Sequence, residues 1–403
     1  MLKFFLPLVL FLASLMPCFG QRQLALNGYV KQMQTLLPLP DTMANSLGRR
    51  LLVGNLIHHR LNSSYYFNNK LTFKADLRNR LMYGDLAQMM GSTADLGNDV
   101  FKLSDFLVAE NDVYWHIIFD RMYLEYITGD WEIRAGRQRI NWGINTIYNP
   151  NDIFNAANFF DFDYEERPGS DAVRITKYTG ISSSIEVAFK YFNPIQTFDT
   201  LLYESVSQNC TGAMLYKTTR WNYDMQFLAG IDQEYTVIGA GWSGYIKGKY
   251  GFKGELSYFD NWYDETVSSQ LIYSIATDFT LGKDWIFMGG VLYNQQNETS
   301  NALNIGQAFT QLNSSVNMNA RNLSNTKWNI MALINKPING QVAWSSALIA
   351  MPSATANTTL WMNTLSYSIK DNWDLDFVNQ LIIVYQDGLL PINMANFRLK
   401  YSY

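Results

Sequence analysis

The sequence predicts an all-β chain: a transmembrane antiparallel up-and-down β-barrel of about eighteen strands, with short periplasmic turns and long extracellular loops. Three observations predict it. Apolar and polar residues alternate with period two over segments of barrel-strand length. Tight and longer connections alternate along the chain. The last residues, NFRLKYSY, make one more amphipathic strand ending on an aromatic.

The first segment is not part of the barrel. MLKFFLPLVLFLASLMPCFG places Lys3 before an apolar run from Phe4 to Met16 and ends on Gly20. This is the order of a cleaved secretory signal, and the run is too short for a membrane helix. The expected organisation is a signal peptide over 1–20 and a barrel over 21–403. Cys18 follows Pro17, a poor context for a lipoprotein signal. Loss of the signal leaves Cys210 alone, which excludes an intramolecular disulfide and a Cys/His zinc site.

Composition narrows the class. The chain is 15% aromatic but only 16% charged, an unusual balance for a soluble protein. Beyond the signal no apolar run is long enough for a membrane helix. Formal net charge is −4, or −5 once Lys3 is removed with the signal, which argues against a nucleic-acid partner.

The strands follow in order. In LTFKADLRNRL (71–81), Leu71, Phe73, Ala75, Leu77 and Leu81 share one face with Asn79 as an exception; Thr72, Lys74, Asp76, Arg78 and Arg80 share the other. WNYDMQFLA (221–229) and ISSSIEVAFKYF (181–192) alternate in the same way. Eighteen such strands are placed near 25–35, 50–66, 70–84, 112–128, 131–143, 171–179, 183–193, 209–219, 222–232, 236–248, 251–260, 268–281, 284–295, 325–338, 340–353, 358–371, 373–385 and 390–403. Sixteen result if 171–193 or 25–35 pairs differently. Short connections such as TGD (128–130) and KDN (370–372) alternate with a set that includes 36–49, 85–111, 144–170, 194–208 and 296–324, which puts both termini in the periplasm. Tyr65, Tyr66, Phe67, Trp131, Trp221, Trp262, Trp285 and Trp373 fall near strand ends, as interfacial girdles do.

The segment WEIRAGRQRINWG (131–143) carries aromatics and arginines together. An arginine facing lipid at mid-membrane costs about 2–4 kcal/mol. A bulge at Gly136 would keep Glu132, Arg134, Arg137, Arg139 and Asn141 all on the wet side. Neighbouring strands add Lys74, Arg78 and Arg80, then Arg121 with Glu125, and Arg174, so these residues form one basic wall. The connection 144–170 holds Asp152, Asp161, Asp163, Glu165 and Glu166. Folded into the lumen, it would set an acidic loop against a basic wall, a transverse field that filters by charge and size. The same residues also suit a bracing role, as Arg–Glu networks across a wide lumen. DFDYEE lacks the glycine and spacing of an EF-hand loop, and His58–His59 suits a lumen or interface pair better than a metal site. No cofactor, metal or catalytic constellation is expected.

RMYLEY, GRQRINWG, NPNDIFN and DYEERPGSDAVRI together resemble the segment of porin-like outer-membrane proteins in which GRQ ends a strand and leads into a long inward loop. The chain is similar there, over about 120–175, to porin-like families of Bacteroidota and to the wider group of specific porins and alginate-export-type barrels. The resemblance implies a diffusion or substrate-specific channel in a Gram-negative outer membrane and carries no catalytic residues. No lysine or arginine ladder continues around the barrel as in phosphate-selective porins. The terminal strand, with Phe397, Leu399, Tyr401 and Tyr403 on one face, resembles the signal presented to the barrel-assembly machinery.

Three functions stay open at this point. One is a passive or selective channel for small polar solutes, anionic ones among them. A second is a closed barrel serving as a subunit of a larger outer-membrane complex. The third is a carrier of hydrophobic solutes, which would want an apolar lumen or an N-terminal hatch that residues 21–35 are too short to form.

Overall fold

Alternating strands bury their backbone polarity only by pairing with neighbours on both sides, and in a lipid environment only closure removes the edges. The computed structural model obeys this. It describes residues 23–403 apart from 42–43, 46–47, 88–99, 157–162, 164–165, 167–168, 192–209, 297–318, 325, 354–356 and 386–387. The predicted signal peptide lies outside the described residues.

The strands are β1 (Leu24–Pro38), β2 (Leu51–Tyr66), β3 (Leu71–Gly84), β4 (Ser104–Glu110), β5 (Val113–Thr128), β6 (Trp131–Gln138) and β7 (Ser170–Gly180). Then come β8 (Ser183–Tyr191), β9 (Cys210–Arg220), β10 (Tyr223–Asp232), β11 (Tyr235–Ile246), β12 (Tyr250–Asn261) and β13 (Gln270–Leu281). The last are β14 (Trp285–Asn294), β15 (Trp328–Pro337), β16 (Val342–Met351), β17 (Asn357–Lys370), β18 (Trp373–Tyr385) and β19 (Leu389–Ser402). Every pairing is antiparallel, and β1 pairs with both β2 and β19, closing the ring.

Nineteen strands make an eighteen-position wall because β4 and β6 share one edge of β5, end to end. β4 pairs with Val113–Ile118, and β6 pairs with Met122–Thr128. The all-β barrel expected from the sequence is the fold observed, with β4 as an unforeseen extra strand.

The two rows of each strand have opposite surroundings. On β1, Tyr29, Lys31, Met33, Thr35 and Leu37 are buried toward the lumen, while Val30, Gln32 and Gln34 are exposed on the outside. On β8 and β10 the outward rows include Val187, Phe189 and Phe227, all exposed apolar residues of the kind a lipid phase accommodates. The two-residue turn Trp221–Asn222 has positive φ at both positions, the mirror-image turn whose twist matches a hairpin.

The end that carries the longer connections also holds a tight turn, since only residues 233–234 join β10 to β11, as the predicted strands imply. One detail departs from expectation. The wall strand expected over 131–143 ends at Gln138, whose carboxamide donates to the carbonyls of Arg134 and Ala172 as the chain leaves the wall.

A candidate constriction braced by an ionic wall

The described residues between β6 and β7 (139–156, 163, 166 and 169) run inward rather than outward. One limb is tied to the wall formed by β8 to β13. Glu255 on β12 accepts backbone N–H groups of Ile144, Asn145 and Asn151. Asn151 donates to the carbonyl of Ala240 (3.0 Å) and accepts from Ser257 (2.7 Å). Asn145 donates to Ser274 on β13 (2.8 Å), Gln226 on β10 donates to the Trp142 carbonyl (2.6 Å), and the Trp142 indole donates to Glu186 on β8. Burial raises the Tyr148 hydroxyl above its ordinary pKa, so it stays neutral. Between these polar ties, Trp142, Tyr148 and Phe154 pack with Leu228, Phe259 and Ile272 of the wall.

The other limb is tied to the opposite wall. Asp163 binds Lys31 of β1 (3.1 Å), His58 of β2 (2.9 Å) and Arg398 of β19 (3.5 Å). Burial pushes the Asp163 carboxyl up, but the Lys31 ammonium and the His58 hydrogen bond outweigh it and hold the carboxyl well below the usual range. Glu166 accepts from the Tyr29 hydroxyl (3.0 Å) and lies 3.5 Å from Arg60. In the closed ring, β2 and β12 are nine strands apart in either direction. The two anchors therefore stand at opposite ends of a diameter of the ring. Such a span needs a polar acceptor at each end, because its own N–H groups leave the strand ladder.

The wall between these anchors is an alternation of charges. Arg60 bridges Asp120 (2.6 Å) and Asp76 (3.2 Å), and Arg78 also reaches Asp120 (3.2 Å). Arg121 lies 3.8 Å from Asp76. A second chain runs Lys74–Glu125 (3.6 Å), Glu125–Arg134 (2.6 Å), Arg134–Glu132 (2.9 Å), then Arg174 to Glu132, with the Tyr178 hydroxyl on Glu132 (3.1 Å). Arg80 stands opposite His58 and His116 in the pairing registers. The predicted residues Lys74, Arg78, Arg121, Glu125, Glu132, Arg134 and Arg174 thus lie on one continuous patch of inward rows.

Three predicted positions fall elsewhere, and two more lie outside the described residues. Arg137 is buried in the wall, bound to Asp171 of β7 (2.9 Å) and to the Phe101 carbonyl (2.6 Å). The bulge expected at Gly136 is absent, since both registers run through it unbroken. Its φ of +120° and the Met122 carbonyl, 2.4 Å from where a Cβ would sit, explain the glycine instead. Arg139 and Asn141 lie past the end of β6, where the chain enters the lumen. Asp161 and Glu165 lie outside the described residues.

The bulge is on β5. The β3–β5 register shifts at Asp76/Leu77, which are opposite Arg121 and Phe119 and leave Asp120 as the extra residue. This puts Asp120 and Arg121 both on the wet side. Strict alternation from the sequence puts Asp120 on the outer face. Lys31, Arg60 and Glu255 were also unforeseen. They carry no motif and become legible only once β1, β2 and β12 are paired. Among the described residues no group of three or more His, Cys, Asp or Glu side chains is arranged to hold a metal.

No protein-family model matches the sequence, and no curated protein matches it either. Solved structures do match in fold. A BenF-like porin from Pseudomonas fluorescens Pf-5 is similar with a TM-score of 0.60 at 8% identity, over 94% of this chain and 98% of that one. Pseudomonas aeruginosa OccK9 (OpdG) gives 0.60 at 9%, over 94% and 98%. Acinetobacter baumannii OccAB4 gives 0.59 at 8%, over 95% and 99%. At such identities the likeness is one of fold, and it extends over nearly the whole of each chain.

Proposed function

We propose that the chain is an outer-membrane channel for diffusion of small polar solutes, narrowed by residues 139–169 and selective by charge. The observation that carries this reading is the loop tied to both walls beside a patch of lysines and arginines. Barrels of sixteen to eighteen strands are wide enough to leave an aqueous path, and a cross-tied loop reduces it. The fold it shares with a protein titled as a BenF-like porin supports the same reading. The solute-facing set on this proposal is Lys74, Arg80, Arg121, Arg134, Arg139, Asn141 and Arg174, with Glu166 of the loop beside it, while Arg78 and Asp163 are buried in ion pairs that brace it. Anionic or zwitterionic small solutes suit it best. Export by a cleaved signal over 1–20, assembly through Phe397, Leu399, Tyr401 and Tyr403, and an origin among porin-like proteins of Bacteroidota belong to the same proposal. No catalysis or cofactor forms part of it.

Conductance of the purified barrel in planar bilayers, read under a salt gradient, tests it. Discrete steps with anion preference are expected, and the preference weakens in an Arg134→Ala/Arg174→Ala variant. A correctly folded barrel with no steps sinks the channel reading. A second reading has one observation in its favour: the inner rows of β9 to β14 include Leu215, Leu228, Phe259, Ile272 and Leu292, all buried in one apolar cluster. A lumen filled in this way also suits a closed barrel acting as a subunit of a larger complex. Silence in bilayers with stable copurifying partners would favour that alternative.

A further inference from the structure

Asn79 is the polar exception in an otherwise apolar row, and the pairing registers show that it has company. On β17 the outward Asn363 stands directly opposite Ser346 of β16 on one side and Asn379 of β18 on the other. Asn379 donates to Asn393 of β19 (2.7 Å). Across the seam, Gln34 of β1 faces Asn55 of β2, and His59 of β2 faces Asn79 of β3, their side-chain nitrogens 3.4 Å apart. The rows are outward because the intervening residues Lys31, His58 and Arg60 are the buried lumen-side ones. Asn379 is midway between Trp373 and Tyr385, which end the outer row of β18, and Asn363 is at the middle of β17. The outward rows of β7 to β15 contain no Asn, Gln or His.

Hydrocarbon offers no hydrogen bond to a carboxamide, and each carboxamide carries two donors and an acceptor with two lone pairs. Such residues on a membrane face act as glue between proteins. We infer that the outer face from β16 through β19 and β1 to β3 is an interface with a second copy of this chain. The belt itself identifies the occupant. Apart from His59, its side chains are amides and a hydroxyl, uncharged groups that each both donate and accept, so the face complements itself without like-charge repulsion, as a symmetric contact requires. A sector of seven strands is about 29 Å across, and with an apolar band about 25 Å tall it offers about 700 Å², close to the roughly 800 Å² per partner of a standard interface. The β19–β1 seam is at the centre of the sector, so association would cover the closure of the barrel.

This inference rests on the chain spanning a bilayer. The test uses the full-length protein in the outer membrane of the cells that make it, with Cys210 replaced by Ser. Single cysteines at Asn363→Cys, Asn379→Cys and, on the far side of the ring, Phe227→Cys are treated with a short bis-maleimide. Homo-oligomeric bands from the two belt positions and none from Phe227→Cys are the expected result. Absence of belt bands, equal bands from Phe227→Cys, or a band joining the chain to a different protein would each overturn it. In an Asn363→Leu/Asn379→Leu/Asn393→Leu background, cross-linking through Ser346→Cys should fall at least ten-fold while the barrel keeps its heat-modifiable gel mobility. Undiminished cross-linking would place the contact elsewhere. Recovery of the chain in the membrane fraction, scored on the same samples, separates failure of the interface from failure of the membrane reading.

Discussion

Glu255 and Gly28 each hold one junction of the barrel. Glu255 is completely buried and receives three backbone N–H groups from the loop. Its removal takes away the acceptor of all three, and an unsatisfied buried donor costs about 1–3 kcal/mol. Glu255→Ala is therefore expected to loosen the loop without unfolding the wall, and single-channel recordings should show larger, noisier steps. Gly28 lies where β19 meets β1. Its N–H donates to the Tyr403 carbonyl and its carbonyl accepts from the Tyr403 N–H, both at 3.0 Å. A Cβ there would fall 2.1 Å from the Arg60 carbonyl oxygen and 2.8 Å from the Tyr403 hydroxyl. Backbone cannot give way by that much within a paired strand. Gly28→Val should abolish the folded, fast-migrating band in unheated gels, whereas Gly340→Ala, where a Cβ meets nothing within 4 Å and φ is not in the left-handed region, should keep it.

At the scale of elements, alternation made seventeen of the predicted strands legible over nearly their full length, because a lipid-facing row and a wet row differ at every second residue. It could not find β4, seven residues whose place is set by the space above β6 rather than by their own pattern. Nor could it tell that the chain turns inward after Gln138, since WEIR and GRQ alternate the same way whether or not the wall continues. The site was legible in part for the same reason. Arg134 and Arg174 were identifiable from their own strands, but Asp120 needed the β5 bulge and Lys31 needed the loop that lands on it. The landing of that loop makes a pH prediction. Asp163 is held ionised by Lys31 and His58, so its native pKa is below the unfolded carboxylate value of about 3.9. The stabilisation of loop docking is then fully present above that value and is lost as pH falls through the native pKa. Conductance steps should keep their size from pH 8 to 5 and enlarge only under strongly acidic conditions; a change centred near pH 6 would assign the latch to a histidine instead.

The whole molecule separates a frame from an insert. Every wall strand but β4, which pairs with β5 alone, is paired on both sides around the ring, so the frame does not rely on the loop for closure. The loop, in contrast, depends on the frame at two places nine strands apart: the Glu255 cradle and the Asp163 latch. Cutting either tie should leave a loop held at one end, and cutting both should leave a barrel with an untethered insert. The double variant Glu255→Ala/Asp163→Ala should thus remain heat-modifiable in gels and show conductance steps exceeding those of either single variant, with weaker ion selectivity as the loop's carboxylates leave the basic wall. Equal steps in wild type and double variant would mean that residues 139–169 do not set the width of the path. A double variant that folds but stays silent would mean that the apolar cluster along β9 to β14 closes the lumen by itself, and the barrel would then belong with the structural subunits rather than the channels.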